Sequence, residues 1–122
     1  MCIICIICNG GFMSCIFCKI IDGEVPCKKI YESETIIAFH DIHPRAPVHA
    51  LIVPKIHVAD INSLTPEHSR FIVDVFNAIP QIAEELNVHS SGYRIVINTG
   101  KDSRQEVFHL HFHLLGGKRL GI

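Results

Sequence analysis

One stretch of this chain leaves little freedom in its local structure: His109-Leu110-His111-Phe112-His113-Leu114-Leu115, where imidazoles alternate with large apolar side chains. In a strand successive side chains point to opposite faces, so the three imidazoles share one side while Leu110, Phe112 and Leu114 share the other. In a helix the same i, i+2 positions would diverge by about 200°, and no common surface could form. The spacing predicts a strand over 108–115, with a core behind its apolar side and imidazoles roughly 7 Å apart along the other. Such a row reads as a metal site, as phosphate chemistry, or as a merely solvated face. Neutral imidazole is a common metal ligand, and it is also a nucleophile and proton carrier near neutral pH. Three rings in strict alternation, backed by Leu and Phe, favour chemistry over the solvated face.

The rest of the chain supplies partners for that strand. Phe17, Ile20 and Ile21 recur at helical spacing before Asp22-Gly23, which predicts a short helix. Lys29 to Tyr31, Thr35 to Phe39, Val48 to Val53 and Tyr93 to Asn98 read as strands, with polar loops at Asp41 to Pro47 and Thr99 to Gln105. Thr65-Pro66-Glu67 is a helix start, and the apolar stripe Phe71, Ile72, Val75, Phe76, Ile79, Ile82, Ala83 and Leu86 keeps a period near 3.6. Pro80 interrupts that stripe and is expected to kink or break the helix. Strands, one long helix and more strands make an α+β class, a mixed, mostly antiparallel sheet with the helix packed on one face.

At 122 residues the chain holds one domain, read here as 13–122 behind a loose extension over 1–12 with Met13 as an alternative start. A domain of this size has a thin burial margin, which dimerisation would widen. The net charge of −1 carries no basic footprint for nucleic acid, and no apolar run reaches the roughly 20 residues that a membrane helix needs. We therefore expect a cytoplasmic protein whose six cysteines are thiols, fillers or metal ligands more often than disulfides. Cys15-Ile16-Phe17-Cys18 has the C-x-x-C spacing of zinc thiolates, but two ligands do not complete a site. Buried, unmetallated thiols are the alternative.

Taken together, HLHFHLL over 109–115, Phe39-His40-Asp41, His49, Val53-Pro54-Lys55, His57, Asn98, Gln105 and Gly116-Gly117 resemble the histidine triad superfamily, and within it the HINT branch of purine nucleoside phosphoramidases. The resemblance runs from about Cys15 to Gly117. It implies a hydrolase of purine nucleoside 5′-phosphoramidates, of AMP or GMP type, working through a nucleotidylated histidine as a homodimer. By this resemblance His111 is the nucleophile, His49 the proton relay and His113 a donor to phosphate oxygen, with His109 completing the triad. Phe17, Ile20, Phe39 and Ile42 would enclose the purine, and Asp41 would accept from the ribose. Asn98, Gln105, Glu106 and Val107 would face the phosphate and leaving group. The same comparison implies that His57 and His109 complete a structural Cys2His2 zinc site with Cys15 and Cys18, no metal being needed for catalysis. Two positions depart from the pattern: Ser103-Arg104 stand where glycines are usual, and Glu106 where animal members have Ser. A nucleotide- or zinc-binding module with weak hydrolysis, and a dinucleoside polyphosphate hydrolase, are the alternative functions.

Overall fold

The computed structural model describes residues 15–122; the extension read over 1–12 and the domain start at 13 lie outside them. Helix α1 (Ile16–Ile21) begins at Cys15, whose Sγ accepts from the Cys18 N–H at 3.3 Å. Strands β1 (Lys29–Glu32), β2 (Ile36–His40) and β3 (Val48–Pro54) follow, then helix α2 (Ser69–Glu85), β4 (Tyr93–Val96) and β5 (Phe112–Gly116). The strands form one five-stranded sheet in the order β1-β2-β3-β5-β4, with every pairing antiparallel. The expected α+β architecture is the one observed.

The sheet is apolar on both faces, and alternation along each strand divides its residues between two cores. Ile36 and Ala38 of β2, Ala50 and Ile52 of β3, and Phe112 and Leu114 of β5 meet Phe71, Val75, Ile79 and Ile82 of α2 in the larger core. Ile37, Phe39, Leu51 and Val53 face the opposite way and pack against Phe17 of α1. Leu110, ahead of β5, joins the helix-side core, so the alternation continues beyond the strand itself.

Two strands differ in extent from the expectation drawn from the sequence. The strand over 108–115 begins only at Phe112 and runs to Gly116. Its ladder with β3 stops at the Phe112–Ile52 pair although β3 itself runs on to Pro54, and β4 on the other side ends at Val96, opposite His113, so residues 109–111 lie outside the paired part of the sheet. They are held instead by the Leu110 N–H on the Val58 carbonyl, at 2.6 Å. Likewise the strand read to Asn98 stops at Val96.

Pro80 does not break α2, which runs continuously from Ser69 to Glu85. The stripe buries Phe71, Val75, Ala78, Ile79, Ile82 and Ala83, whereas Pro80 stands on the exposed side. The carbonyl it leaves unbonded belongs to Phe76, itself 52% exposed, so water can take the place of the missing donor. A short 3-10 turn over Pro66–His68 leads into the helix, and Thr65 and His68 close a reciprocal capping box. Among the described residues no helix is long and apolar enough to cross a membrane.

Because Pro80 costs α2 a hydrogen bond at an exposed position, Pro80→Ala is expected to stabilise the fold by about 1 to 3 kcal/mol. Urea unfolding followed by circular dichroism measures this. An unchanged or lower midpoint would mean that the ring contributes packing not apparent from its exposure.

Candidate active site and metal cluster

Sheet register assembles the site. In the antiparallel β3–β5 pair, His49 lies opposite Leu115 and Leu51 opposite His113, which makes His49 and His113 diagonal neighbours on the face away from α2. Their rings meet with His49 Nε2 at 3.0 Å from His113 Nδ1. His111 follows one step up the chain, with ring centres 4.8 Å apart between it and His113, and Phe17 sets its edge against His111 at 5.0 Å. The expected imidazole row on one side, with apolar residues behind it, is the arrangement found.

Backbone partners decide which ring nitrogen carries each proton. A carbonyl only accepts, so His111 donates from Nδ1 to the His109 carbonyl at 2.8 Å and its Nε2 keeps the lone pair. A backbone N–H only donates, so Arg45 N–H gives to His49 Nδ1 at 3.0 Å, and neutral His49 holds its proton on Nε2. That proton points to His113 Nδ1, with Asp41 Oδ2 also 3.3 Å from His49 Nε2. His113 therefore carries its own proton on Nε2, and this nitrogen is buried without a hydrogen-bond partner. A buried N–H in that condition calls for an acceptor from outside the chain. Burial lowers the pKa of His111, and burial with neighbouring imidazoles takes His113 down to about 4, so both rings stay neutral near pH 7.

A cavity of about 510 Å³ opens beside the row, lined by His111 and His113 together with Phe17, Ile20, Phe39, Asp41, Ile42, Asn98, Glu106 and Val107. Phe17 and Phe39 are buried and meet edge to face at 5.8 Å, whereas Ile42 is 84% exposed at the rim. Asp41 Oδ1 accepts the His43 N–H at 2.8 Å, which shapes its loop and leaves Oδ2 to His49. Arg45 and Cys27, given no role from the sequence, line the cavity too. Arg45 could have been noticed from its place four residues before His49 in a proline-bounded loop, a spacing that lets its N–H reach back to the ring.

Gln105 is placed differently from the other expected phosphate contacts. It is buried and absent from the cavity wall, its Oε1 accepting from Gly100 N–H at 2.9 Å while Nε2 donates to the carbonyls of Ala59 at 2.8 Å and Val107 at 3.1 Å. Its amide closes the 100–105 loop, where Gly100 takes a φ of 83° suited to glycine. His109 is also absent from the cavity wall and belongs to a second cluster.

That cluster comprises Cys15, Cys18, His57 and His109, with their donor atoms all within 4.8 Å of one another. His109 Nδ1 lies 3.4 Å from Cys15 Sγ, 3.6 Å from Cys18 Sγ and 3.1 Å from His57 Nδ1, and His57 Nδ1 is 3.4 Å from Cys18 Sγ. Bonds of about 2.3 Å to sulfur and about 2.05 Å to nitrogen around a tetrahedral ion give edges of roughly 3.5 Å (S to N) and roughly 3.3 Å (N to N). The cluster thus has the proportions of a zinc site. His109 Nε2 donates to the Pro54 carbonyl at 2.8 Å, which turns its Nδ1 lone pair toward the cluster. Burial raises the Cys15 thiol and lowers His57 and His109, the latter to about 4, so without a cation the cluster is a neutral one. Cys18 is disulfide-bonded, contrary to the expectation of thiols, and its sulfur becomes a ligand only after reduction.

Comparison with known proteins bears on this geometry. The family model for the HIT domain matches residues 22–120. The purine nucleoside phosphoramidase of Escherichia coli (strain K12) is 41% identical over 106 residues, covering 87% of this chain and 89% of that protein. The crystal structure of a HIT family hydrolase from Legionella pneumophila superposes with a TM-score of 0.84 at 40% identity, covering 88% of this chain and 96% of that one. A zinc-bound histidine triad family protein from Mycobacterium smegmatis superposes with a TM-score of 0.74 at 38% identity, covering 87% and 76%.

The role seen for Gln105 has a measurable consequence. Gln105→Ala would strand the Gly100 N–H and two carbonyls, and each stranded buried group costs about 1 to 3 kcal/mol. Hydrogen exchange of the 100–107 amides is expected to accelerate well beyond that of β3 and β5, together with a lower unfolding midpoint. Unchanged exchange in this loop would show that the amide is not its brace.

Proposed function

The chain belongs to the HIT domain family, and from that premise we propose that it hydrolyses purine nucleoside 5′-phosphoramidates through a nucleotidylated His111. The observation carrying this reading is the pairing of opposite tautomers on adjacent rings: a bare Nε2 on His111 and an unpartnered Nε2–H on His113, both at one cavity. A nucleophile must present a lone pair and an electrostatic stabiliser must present a proton, and the two rings divide these roles.

In the first half-reaction His111 Nε2 bonds to phosphorus as the phosphorus–nitrogen bond breaks. The departing nitrogen keeps the electron pair and takes the proton of His113 Nε2, while His49 passes its own proton to His113 Nδ1 and regains one from solvent by way of Asp41. His113 is left with a bare Nε2, the tautomer needed to accept a proton from the water that hydrolyses the phospho-histidine. The return of that proton along the same series restores the starting state. The apolar wall of Phe17, Ile20 and Phe39, with Ile42 at the rim, would take the purine. Asp41 keeps lone pairs for a ribose hydroxyl beyond the His43 and His49 contacts. Gln105 acts through the loop it braces.

Reduction of Cys18 would let zinc bind Cys15, Cys18, His57 and His109. With these four residues as ligands, a bound zinc would supply folding stability and not catalysis. A homodimer is the proposed assembly: β4 is an edge strand, and Val73 and Phe76 of α2 are 56% and 52% exposed. A cytoplasmic location is proposed for the reduced form, in which Cys18 is a thiolate ligand, since disulfides are rare in that compartment.

His111→Ala is expected to lower turnover of adenosine 5′-phosphoramidate by at least about 1,000-fold, and His113→Gln by about 100-fold. Quenched wild-type reactions should contain a nucleotidyl adduct by intact-mass spectrometry, absent from His111→Ala. Wild type and variants that are equally slow, while AMP still binds, would instead support a binding module. For the metal, protein purified under reducing conditions is expected to hold close to one equivalent of zinc by elemental analysis. Under a tenth of an equivalent would remove zinc from the account.

A further inference from the structure

We propose that this chain selects a leaving amine that carries both a carboxylate and an ammonium, bound by Arg104 and Glu106 in a second cavity joined to the first. The inference deepens the proposed phosphoramidase reading and rests on it.

The second cavity, of about 450 Å³, shares Arg45, Asn98, Arg104, Glu106 and His113 with the walls of the nucleotide cavity. His111 lines only the first and His49 only the second. An in-line displacement puts the nucleophile and the leaving group on opposite sides of phosphorus. With His111 as nucleophile in the first cavity, the amine departs toward the second, where the proton relay also stands. Whatever the amine carries must therefore face Arg104 and Glu106.

The loop holds these two residues ready. Arg104 has φ 68° and ψ 37°, a left-handed conformation that a side chain other than glycine adopts at a cost. Its N–H bonds to the Lys101 carbonyl at 3.0 Å, the Ser103 hydroxyl donates to the Gly100 carbonyl at 2.7 Å, and Gln105 braces the loop from beneath. A glycine would fit this backbone with less strain, yet the chain carries an arginine at a position that lines both cavities. A guanidinium binds carboxylate through a planar, two-pronged contact, and a carboxylate one position beyond Gln105 offers the complementary site for an ammonium. A wall of mixed sign disfavours a purely anionic leaving group such as a further phosphate, and an uncharged amine leaves both of its charges unpaired.

The chemistry balances within the proposed reaction. The phosphorus–nitrogen bond of a diamino acid linked through its side-chain nitrogen breaks as the His111–phosphorus bond forms. The nitrogen takes one proton from the relay, and the diamino acid leaves with its α-carboxylate and α-ammonium intact.

The test uses four adenosine 5′-phosphoramidates with the same four-carbon stem, made from n-butylamine, putrescine, 5-aminopentanoate and ornithine joined through its side-chain nitrogen. Wild type is expected to give kcat/KM for the ornithine conjugate at least about tenfold above the n-butylamine conjugate, with the single-charge conjugates between them. Arg104→Gly, which relieves the backbone strain and so keeps the fold, should bring the ornithine to n-butylamine ratio close to one, and Arg104→Lys should restore part of it. Glu106→Gln should reduce the putrescine advantage in particular. Equal kcat/KM for all four conjugates, or a ratio retained in Arg104→Gly, would overturn the proposal while leaving the phosphoramidase reading intact. No turnover of any conjugate would remove both.

Discussion

The hydrogen bond from His111 Nδ1 to the carbonyl of His109, two residues back along the same segment, governs the site. It forms because the β3–β5 ladder stops at the Ile52–Phe112 pair, although β3 runs on to Pro54, and β4 ends at Val96, so sheet pairing does not take up the backbone of 109–111. A fully paired strand would commit that carbonyl to a neighbour and leave the ring free to choose its tautomer. The short β5 is thus a condition for the site, since the unpaired carbonyl orients a nitrogen lone pair into the cavity. His113, inside the strand, has no such carbonyl within reach and takes its tautomer from His49, which takes its own from the Arg45 N–H.

His109 links the two clusters. Its ring lies among the cysteines, its carbonyl holds His111, and its Nε2 is tied to Pro54 at the end of β3. Phe17 forms a second link: it stands between Cys15 and Cys18 on α1, meets the rings of both His109 and His111, and forms part of the cavity wall. The C-x-x-C pair on a short helix therefore determines where one wall of the cavity stands.

Much of this was legible in the sequence because period-2 alternation fixes faces wherever a strand is buried on both sides. The Leu110–Phe112–Leu114 series, the His49–His113 neighbourhood and the convergence of Cys15, Cys18, His57 and His109 all follow from residues whose spacing or family resemblance constrains them. What the sequence did not reveal depends on end effects and single hydrogen bonds. The strand is shorter than alternation alone predicts, because 109–111 keep the alternation while their backbone bonds outside the sheet, to Val58 and to the His111 ring. Pro80 predicts a kink or break because propensity says nothing about which face of α2 carries it, and an exposed carbonyl tolerates the loss. Gln105 was read as a phosphate contact, whereas its amide is consumed by three backbone groups that only the folded loop brings together. The disulfide at Cys18 has no local signature in a chain rich in cysteine.

The His109 carbonyl places the proton of His111 on Nδ1, and the Arg45 N–H, acting through His49, places that of His113 on Nε2. Two-bond ¹⁵N–¹H correlation spectra of protein labelled with ¹⁵N-histidine, recorded near neutral pH, report the tautomer of each ring directly. The expected spectrum shows a bare, pyridine-like Nε2 at His111 and a protonated Nε2 at His113. A spectrum with His111 protonated on Nε2 would contradict it, because the ring would then face the cavity without a lone pair to attack phosphorus.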